Sequence, residues 1–93
     1  MAALSVSRDA TIPNALGLHA RAAARFVQSA TRFASSIRVT RGERTVDGKS
    51  IMGMLLLAAA RGSIVTIAAD GADAERAVAE LCALVASGFG EGR

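Results

Sequence analysis

Polar and apolar residues alternate over the first dozen positions. Leu4, Val6, Ala10 and Ile12, with Arg8 among them, fall on one side, and Ser5, Ser7, Asp9 and Thr11 on the other. A period of two predicts a strand, ended by Pro13-Asn14, with Gly17 punctuating the loop that follows. From about Ala20 the period changes to that of a helix. Ala23, Phe26, Val27, Ala30 and Phe33 form an apolar stripe opposite Arg21, Arg25, Gln28 and Arg32, and the helix is expected to run to about Phe33. Ile37 and Val39 on one arm and Thr45-Val46 on the other flank Arg41-Gly42-Glu43, a hairpin signal. Asp47-Gly48 turns the chain, and Ser50 is placed to cap a short helix from Ile51 to about Ala60, closed by Gly62. Residues 63–69 (Ser-Ile-Val-Thr-Ile-Ala-Ala) are the clearest strand. After Asp70-Gly71, Asp73 is expected to cap a last helix whose core face is Ala74, Ala77, Val78, Leu81, Leu84 and Val85, stopped by Gly88.

The order β-α-β-β-α-β-α, with short connections, predicts an α+β sandwich: a four-stranded antiparallel sheet with three helices on one face. At 93 residues the chain reads as one domain, with a core over about 4–88 and a frayed tail at 89–93. Alanine occupies 21 positions, so the core should be thin and closely packed.

Composition removes several function classes. There is no Trp or Tyr and only three Phe, which argues against stacking platforms for single-stranded nucleic acid or sugars. The longest apolar run, 51–60, is far short of the roughly 20 residues of a membrane helix, and the first residues do not read as a signal peptide. One Cys and one His exclude an intramolecular disulfide framework and leave no set of metal ligands, so no metal or other cofactor is expected, and the protein reads as reduced and cytoplasmic. Cys82, beside Leu81 on the last helix, reads as a core residue. Residues 1–50 carry eight Arg/Lys against three Asp/Glu, and residues 51–93 carry three against five. Such a basic half suits phosphate, an acidic protein face or nucleic acid, and charge alone does not choose among them.

Chemistry concentrates in Gly17-Leu18-His19-Ala20-Arg21, which places the only histidine at the first turn of the first helix. Free amides and the helix dipole make that position an anion site, and phosphate is its natural occupant. An imidazole there could attack phosphorus, with Arg21 and the amides stabilising the dianionic group. The plainer reading is that His19 caps the helix or packs under the loop. No second general base can be assembled, which removes hydrolase readings. In Lys49-Ser50-Ile51-Met52-Gly53-Met54-Leu55, Ser50 is explained as an N-cap. A short helix buries one stripe only, however, so part of Ile51, Met52, Met54 and Leu55 should face water as a docking patch.

Gly-Leu-His-Ala-Arg-x-Ala at 17–23, Phe26-Val27 and Lys-Ser-Ile-Met-Gly at 49–53 resemble the histidine-containing phosphocarrier (HPr) family of the phosphoenolpyruvate-dependent phosphotransferase system. Ala60-Arg-Gly62, the strand 64–68 and Gly71-Ala-Asp73 extend the likeness over about residues 4–90. The resemblance implies an open-faced β-sandwich and a phosphocarrier, not an enzyme. In it, His19 accepts a phosphoryl group on Nδ1 from phosphorylated enzyme I and passes it to an enzyme IIA-type protein. Arg21 matches the arginine that steadies the phosphohistidine. Ser50 matches the serine that an HPr kinase phosphorylates in some bacteria, and Ala24, Ile51, Met52 and Leu55 fall where partners dock. A monomer without nucleic-acid or membrane partners is expected.

One position departs from the family pattern: Ala22 stands where proline usually follows the arginine. It restores an amide donor and loosens the helix entry, while keeping a strong helix former. Asn14-Ala-Leu-Gly-Leu-His and Ser87-Gly-Phe89 are similar to nitrogen-related carriers, whereas Lys49–Gly53 is closer to sugar-branch carriers. The balance leans toward a regulatory carrier. Two other classes compete. A small basic RNA-binding domain of similar element order would need paired aromatics on its central strands, and Val39, Thr45 and 64–67 supply none. A regulatory α+β binding module with this fold but no transfer would leave His19 unreactive.

Overall fold

The computed structural model describes residues 5–91. The elements are β1 (Ser5–Thr11), α1 (Ala20–Ala30), β2 (Ser36–Arg41), β3 (Arg44–Asp47), α2 (Ile51–Leu56), β4 (Ile64–Asp70) and α3 (Ala74–Ala86). All strand pairs are antiparallel, in the spatial order β1-β4-β2-β3. Alternation along β2 and β4 buries Ile37, Val39, Val65, Ile67 and Ala69 under the helices. The opposite face is polar, with Thr66 donating to Asp9 at 2.7 Å and Arg38 paired to Asp70 at 2.6 Å. The fold is therefore the expected α+β open-faced sandwich. Leu4, placed on the first strand by its period, lies outside the described residues.

The core is thin. Phe26 from α1, Met54 from α2 and Val78 and Leu81 from α3 converge on the sheet, with alanines at 22, 23, 30, 74 and 77 admitting close approach. Leu84 and Cys82 are only partly buried and pack against this core from its margin. Burial pushes the Cys82 thiol up from its ordinary value, which disfavours the reactive thiolate.

Two helix ends differ from expectation. α1 stops at Ala30, because Arg32 N bonds Ser29 O and Phe33 N bonds Ala30 O in tightened turns that tuck Phe33 into the core. Lys49 Nζ then donates to Phe33 O at 2.7 Å. α2 ends at Leu56 rather than near Ala60, since Ala58 takes a left-handed conformation (φ +50°) and reverses the chain. Arg44 and Arg41 from the hairpin donate to the freed carbonyls of Leu56 (2.8 Å) and Leu57 (3.3 Å). Gly62 closes no helix. Its amide bonds Ile12 O at 2.8 Å and leads the chain into β4.

Asp73 occupies the N-cap of α3 but makes no side-chain capping bond there. Its carboxylate instead crosses to the α1–β2 loop. It accepts from the Ser35 hydroxyl (2.5 Å), the Ser35 amide (3.0 Å) and the Ala34 amide (2.9 Å). These bonds, the Ser35 hydroxyl first and the Ala34 amide next, lower Asp73 from 3.8 to about 2. The folded value lies below the unfolded one, so the ionised carboxylate stabilises the fold above about pH 4, and that contribution is lost as pH falls toward about 2. Asp73→Asn should therefore be less stable than the wild type at pH 7 in urea unfolding, and the gap should narrow between pH 4 and pH 2.

The tail differs most from expectation. Phe89 is fully buried rather than frayed, and Gly90 and Glu91 continue in a turn against the start of α1. Residues 92 and 93 lie outside the described residues.

Candidate functional site: a histidine at a helix start

His19 stands at the N-cap of α1 with extended backbone, and its side chain makes no capping bond. His19 thus holds the cap position without capping the helix through its side chain. The helical ladder opens with Ala23 N donating to His19 O at 2.8 Å, so the amides of Ala20, Arg21 and Ala22 precede it. The partial positive charge of the helix end falls at the same place. Ala22, which stands in this first turn, is fully buried.

The loop that delivers His19 is built around Asn14 and Gly17. Asn14, 2% exposed, donates through Nδ2 to Gly17 O at 2.8 Å, and Gly17 N returns a bond to Asn14 O at 3.1 Å. Gly17 has φ +66°, and a Cβ there would lie 2.6 Å from Ala59 O, so the position admits only glycine. Leu18 N then bonds Ala59 O at 2.9 Å, tying the loop to the segment after α2.

The His19 ring is 26% exposed and opens onto a groove lined by Leu16, Ala20, Arg21, Arg25, Gly90 and Glu91. Nε2 and Glu91 Oε2 are 2.5 Å apart, while Nδ1 makes no hydrogen bond among the described residues. Glu91 Oε1 accepts from Asn14 Nδ2 at 3.1 Å. No cluster of three or more His, Cys, Asp or Glu that could hold a metal occurs among the described residues, and no helix there is long and apolar enough to cross a membrane.

Beside the groove, α1 packs on α2. Ser50 Oγ accepts from Gly53 N at 3.0 Å, as an N-cap should. The exposed face of α2 carries Ile51 (45%), Met52 (71%), Leu55 (37%) and Leu56 (57%), while Met54 turns inward. Ala24 on α1 is half-buried. Three site residues escape sequence reasoning. Leu16 is exposed at the groove, Leu56 extends the apolar face, and Glu91 sits where a frayed tail is expected. The only signal for Glu91 is Phe89 between two glycines, an apolar anchor in an otherwise polar tail.

Fold and site together define a class of small α+β sandwich domains that present one histidine at a helix start beside an apolar helix. Residues 6–87 match the family described as the PTS HPr component phosphorylation site. The phosphocarrier protein HPr of Cupriavidus necator is 52% identical over 87 residues, covering 94% of this chain and 98% of that protein. The phosphocarrier protein NPr of Shewanella violacea is 38% identical over 86 residues, covering 92% and 94%. A crystal structure of HPr from Thermoanaerobacter tengcongensis superposes with a TM-score of 0.89 at 43% identity, over 92% of this chain and 97% of that one. The chain belongs to the HPr family of the phosphotransferase system and is a phosphocarrier of that system.

Proposed function

We propose that His19 accepts a phosphoryl group on Nδ1 from phosphorylated enzyme I and passes it to an enzyme IIA-type protein. The observation that carries this reading is the His19 ring itself. It is partly open to solvent at a helix start, with Nε2 engaged by Glu91 and Nδ1 without a partner among the described residues. A phosphoryl group on Nδ1 would bring its negative charge to the positive end of α1, where the first-turn amides and Arg21 offset it. Transfer between two histidines needs positioning and charge stabilisation, and in this reading the helix start and Arg21 provide them.

Docking is assigned to the apolar face of α2 (Ile51, Met52, Leu55), continued by Ala24, and encounter is steered by Arg21, Arg25 and Arg32. Such contacts must stay small, because the carrier leaves each partner after transfer. Incubation with phosphoenolpyruvate and the sugar-branch or the nitrogen-branch enzyme I, in parallel, tests the carrier reading and assigns the branch. The regulatory reading expects faster phosphorylation by the nitrogen-branch enzyme. Absence of phosphorylation by both would refute the carrier role.

Ser50 is proposed as the regulatory target of an HPr kinase. Phosphorylation would add about −1.5 to −2 charges where Ser50 Oγ already accepts from Gly53 N, so the helix tolerates the anion. The docking patch does not, because Ile51 and Met52 follow directly. Ser50→Asp is expected to slow transfer from enzyme I by about tenfold or more without unfolding the chain. An unchanged rate would remove Ser50 from the account.

A further inference from the structure

The segment after α3 is held against the histidine by its own contacts. Phe89 is fully buried despite a left-handed backbone (φ +60°), and its amide bonds Leu84 O at 2.9 Å. Burial of the ring offsets the strain of that conformation. Arg25 Nη1 donates to Phe89 O at 3.1 Å, and Glu91 N bonds Gly88 O at 3.1 Å. The result is a strap that fixes the backbone on both sides of Gly90. Glu91 therefore reaches His19 from a tethered position.

Its two carboxylate oxygens have separate partners: Oε2 meets His19 Nε2 at 2.5 Å and Oε1 meets Asn14 Nδ2 at 3.1 Å. Asn14 is itself buried and anchored to Gly17 O, so the carboxylate is oriented by the loop that also delivers the histidine. An ionised carboxylate can only accept hydrogen bonds. Contact at Nε2 therefore requires the ring proton to be there. In a neutral imidazole that leaves the lone pair on Nδ1.

We infer that Glu91 is a positioning residue for His19, holding the neutral ring as the Nε2–H tautomer so that Nδ1 is the nucleophile. This rests on the reading of His19 as the phosphoryl acceptor. During transfer Nδ1 forms a bond to phosphorus as the bond from phosphorus to the donor protein's histidine nitrogen breaks, and that electron pair returns to the donor ring. Nε2 keeps its proton throughout. The phosphorylated ring, substituted on one nitrogen and protonated on the other, is cationic, and the Glu91 carboxylate faces that charge. The carboxylate contacts the ring through Nε2, the nitrogen that does not receive the phosphoryl group, so it supports the cation without competing for the nucleophilic position. Delivery to the acceptor reverses these steps.

The test uses the whole chain labelled with ¹⁵N, in which His19 gives the only imidazole signals. Long-range ¹⁵N–¹H spectra at alkaline pH report which ring nitrogen carries the proton. The wild type should be held almost wholly as Nε2–H. Glu91→Ala should relax toward the mixture of a free imidazole, and Glu91→Gln, whose amide oxygen still accepts, should keep most of the bias. Transfer from phosphorylated enzyme I should fall about tenfold in Glu91→Ala, in kcat more than in KM, the low end of what losing the orienting partner of a metal-bound histidine costs. Unchanged tautomer populations in Glu91→Ala, or transfer within about twofold of wild type, would overturn the inference. If no chain, wild type included, takes up phosphate, the acceptor reading fails, while the spectra still decide whether Glu91 places the ring proton.

Discussion

His19→Ala is expected to keep the fold and lose phosphoryl acceptance completely. The side chain it removes makes no capping bond to α1 and is partly exposed, so the substitution gives up one contact with Glu91 and little packing. Loss of one such hydrogen bond costs about 1 kcal/mol, too little to unfold the domain. The loss of function should nevertheless be total, because the chain has no second histidine to take over. Cys82 lies half-buried on α3 with its thiol pushed up by burial, and the Ser50 hydroxyl is engaged by Gly53 N. Intact-mass analysis after incubation with phosphoenolpyruvate and enzyme I should show an acid-labile adduct on the wild type and none on the variant, alongside superimposable circular dichroism spectra. An equal adduct on both would mean that another group accepts the phosphate.

The opposite pattern is expected for Phe26→Ala, which should cost stability. Phe26 is 1% exposed and projects from the far half of α1 into the space beneath Gly48 and Ile37. In a core where seven of the 21 buried apolar residues are alanine, few large side chains can relax into the vacated volume. Truncating a buried Phe costs about 3–5 kcal/mol, a large part of the roughly 5–15 kcal/mol that holds such a domain together. The midpoint of thermal unfolding should drop by about 20 °C. Met52→Ala, at an exposed position of α2, is the control and should leave the midpoint nearly unchanged. A Phe26→Ala midpoint within a few degrees of wild type would show that α1 is not fastened to the sheet through this ring.

These two substitutions mark what can be read in the residues and what cannot. Phe26 falls at a core position by its helical spacing, and the elements around it follow from periods of 2 and 3.6 because each one buries a single face. The helix-start histidine and the apolar face of α2 are legible for the same reason: both are local. Boundaries fail where tertiary contacts decide them. The alanines at 58–60 continue a helical composition, yet Ala58 turns left-handed and Arg41 and Arg44 from the hairpin take the freed carbonyls. Asp73 has the residue type and place of a cap, yet its carboxylate bonds a loop 38 and 39 residues away. Glu91 is the extreme case. It meets His19 across 72 residues and Asn14 across 77, and no periodicity in a glycine-rich tail announces either contact.

The strap carrying Glu91 and the loop carrying Asn14 meet at the His19 ring from opposite ends of the chain. The groove at His19 is therefore assembled from the β1–α1 loop, α1 and the turn after α3, and the apolar face of α2 is the surface proposed for docking. That arrangement suits a carrier. Under the proposed reading the nucleophile is held by its own chain, while a partner would meet a face that is apolar in the free state.

The central claim, that Nδ1 of His19 carries the phosphoryl group, is tested most directly by nuclear magnetic resonance of the ¹⁵N-labelled chain after phosphorylation by enzyme I. A ³¹P signal coupled to His19 Nδ1, with Nε2 still bearing its proton, is the result this account predicts. Phosphorus on Nε2, or an acid-stable phosphate on the Ser50 oxygen as the product of enzyme I, would contradict it.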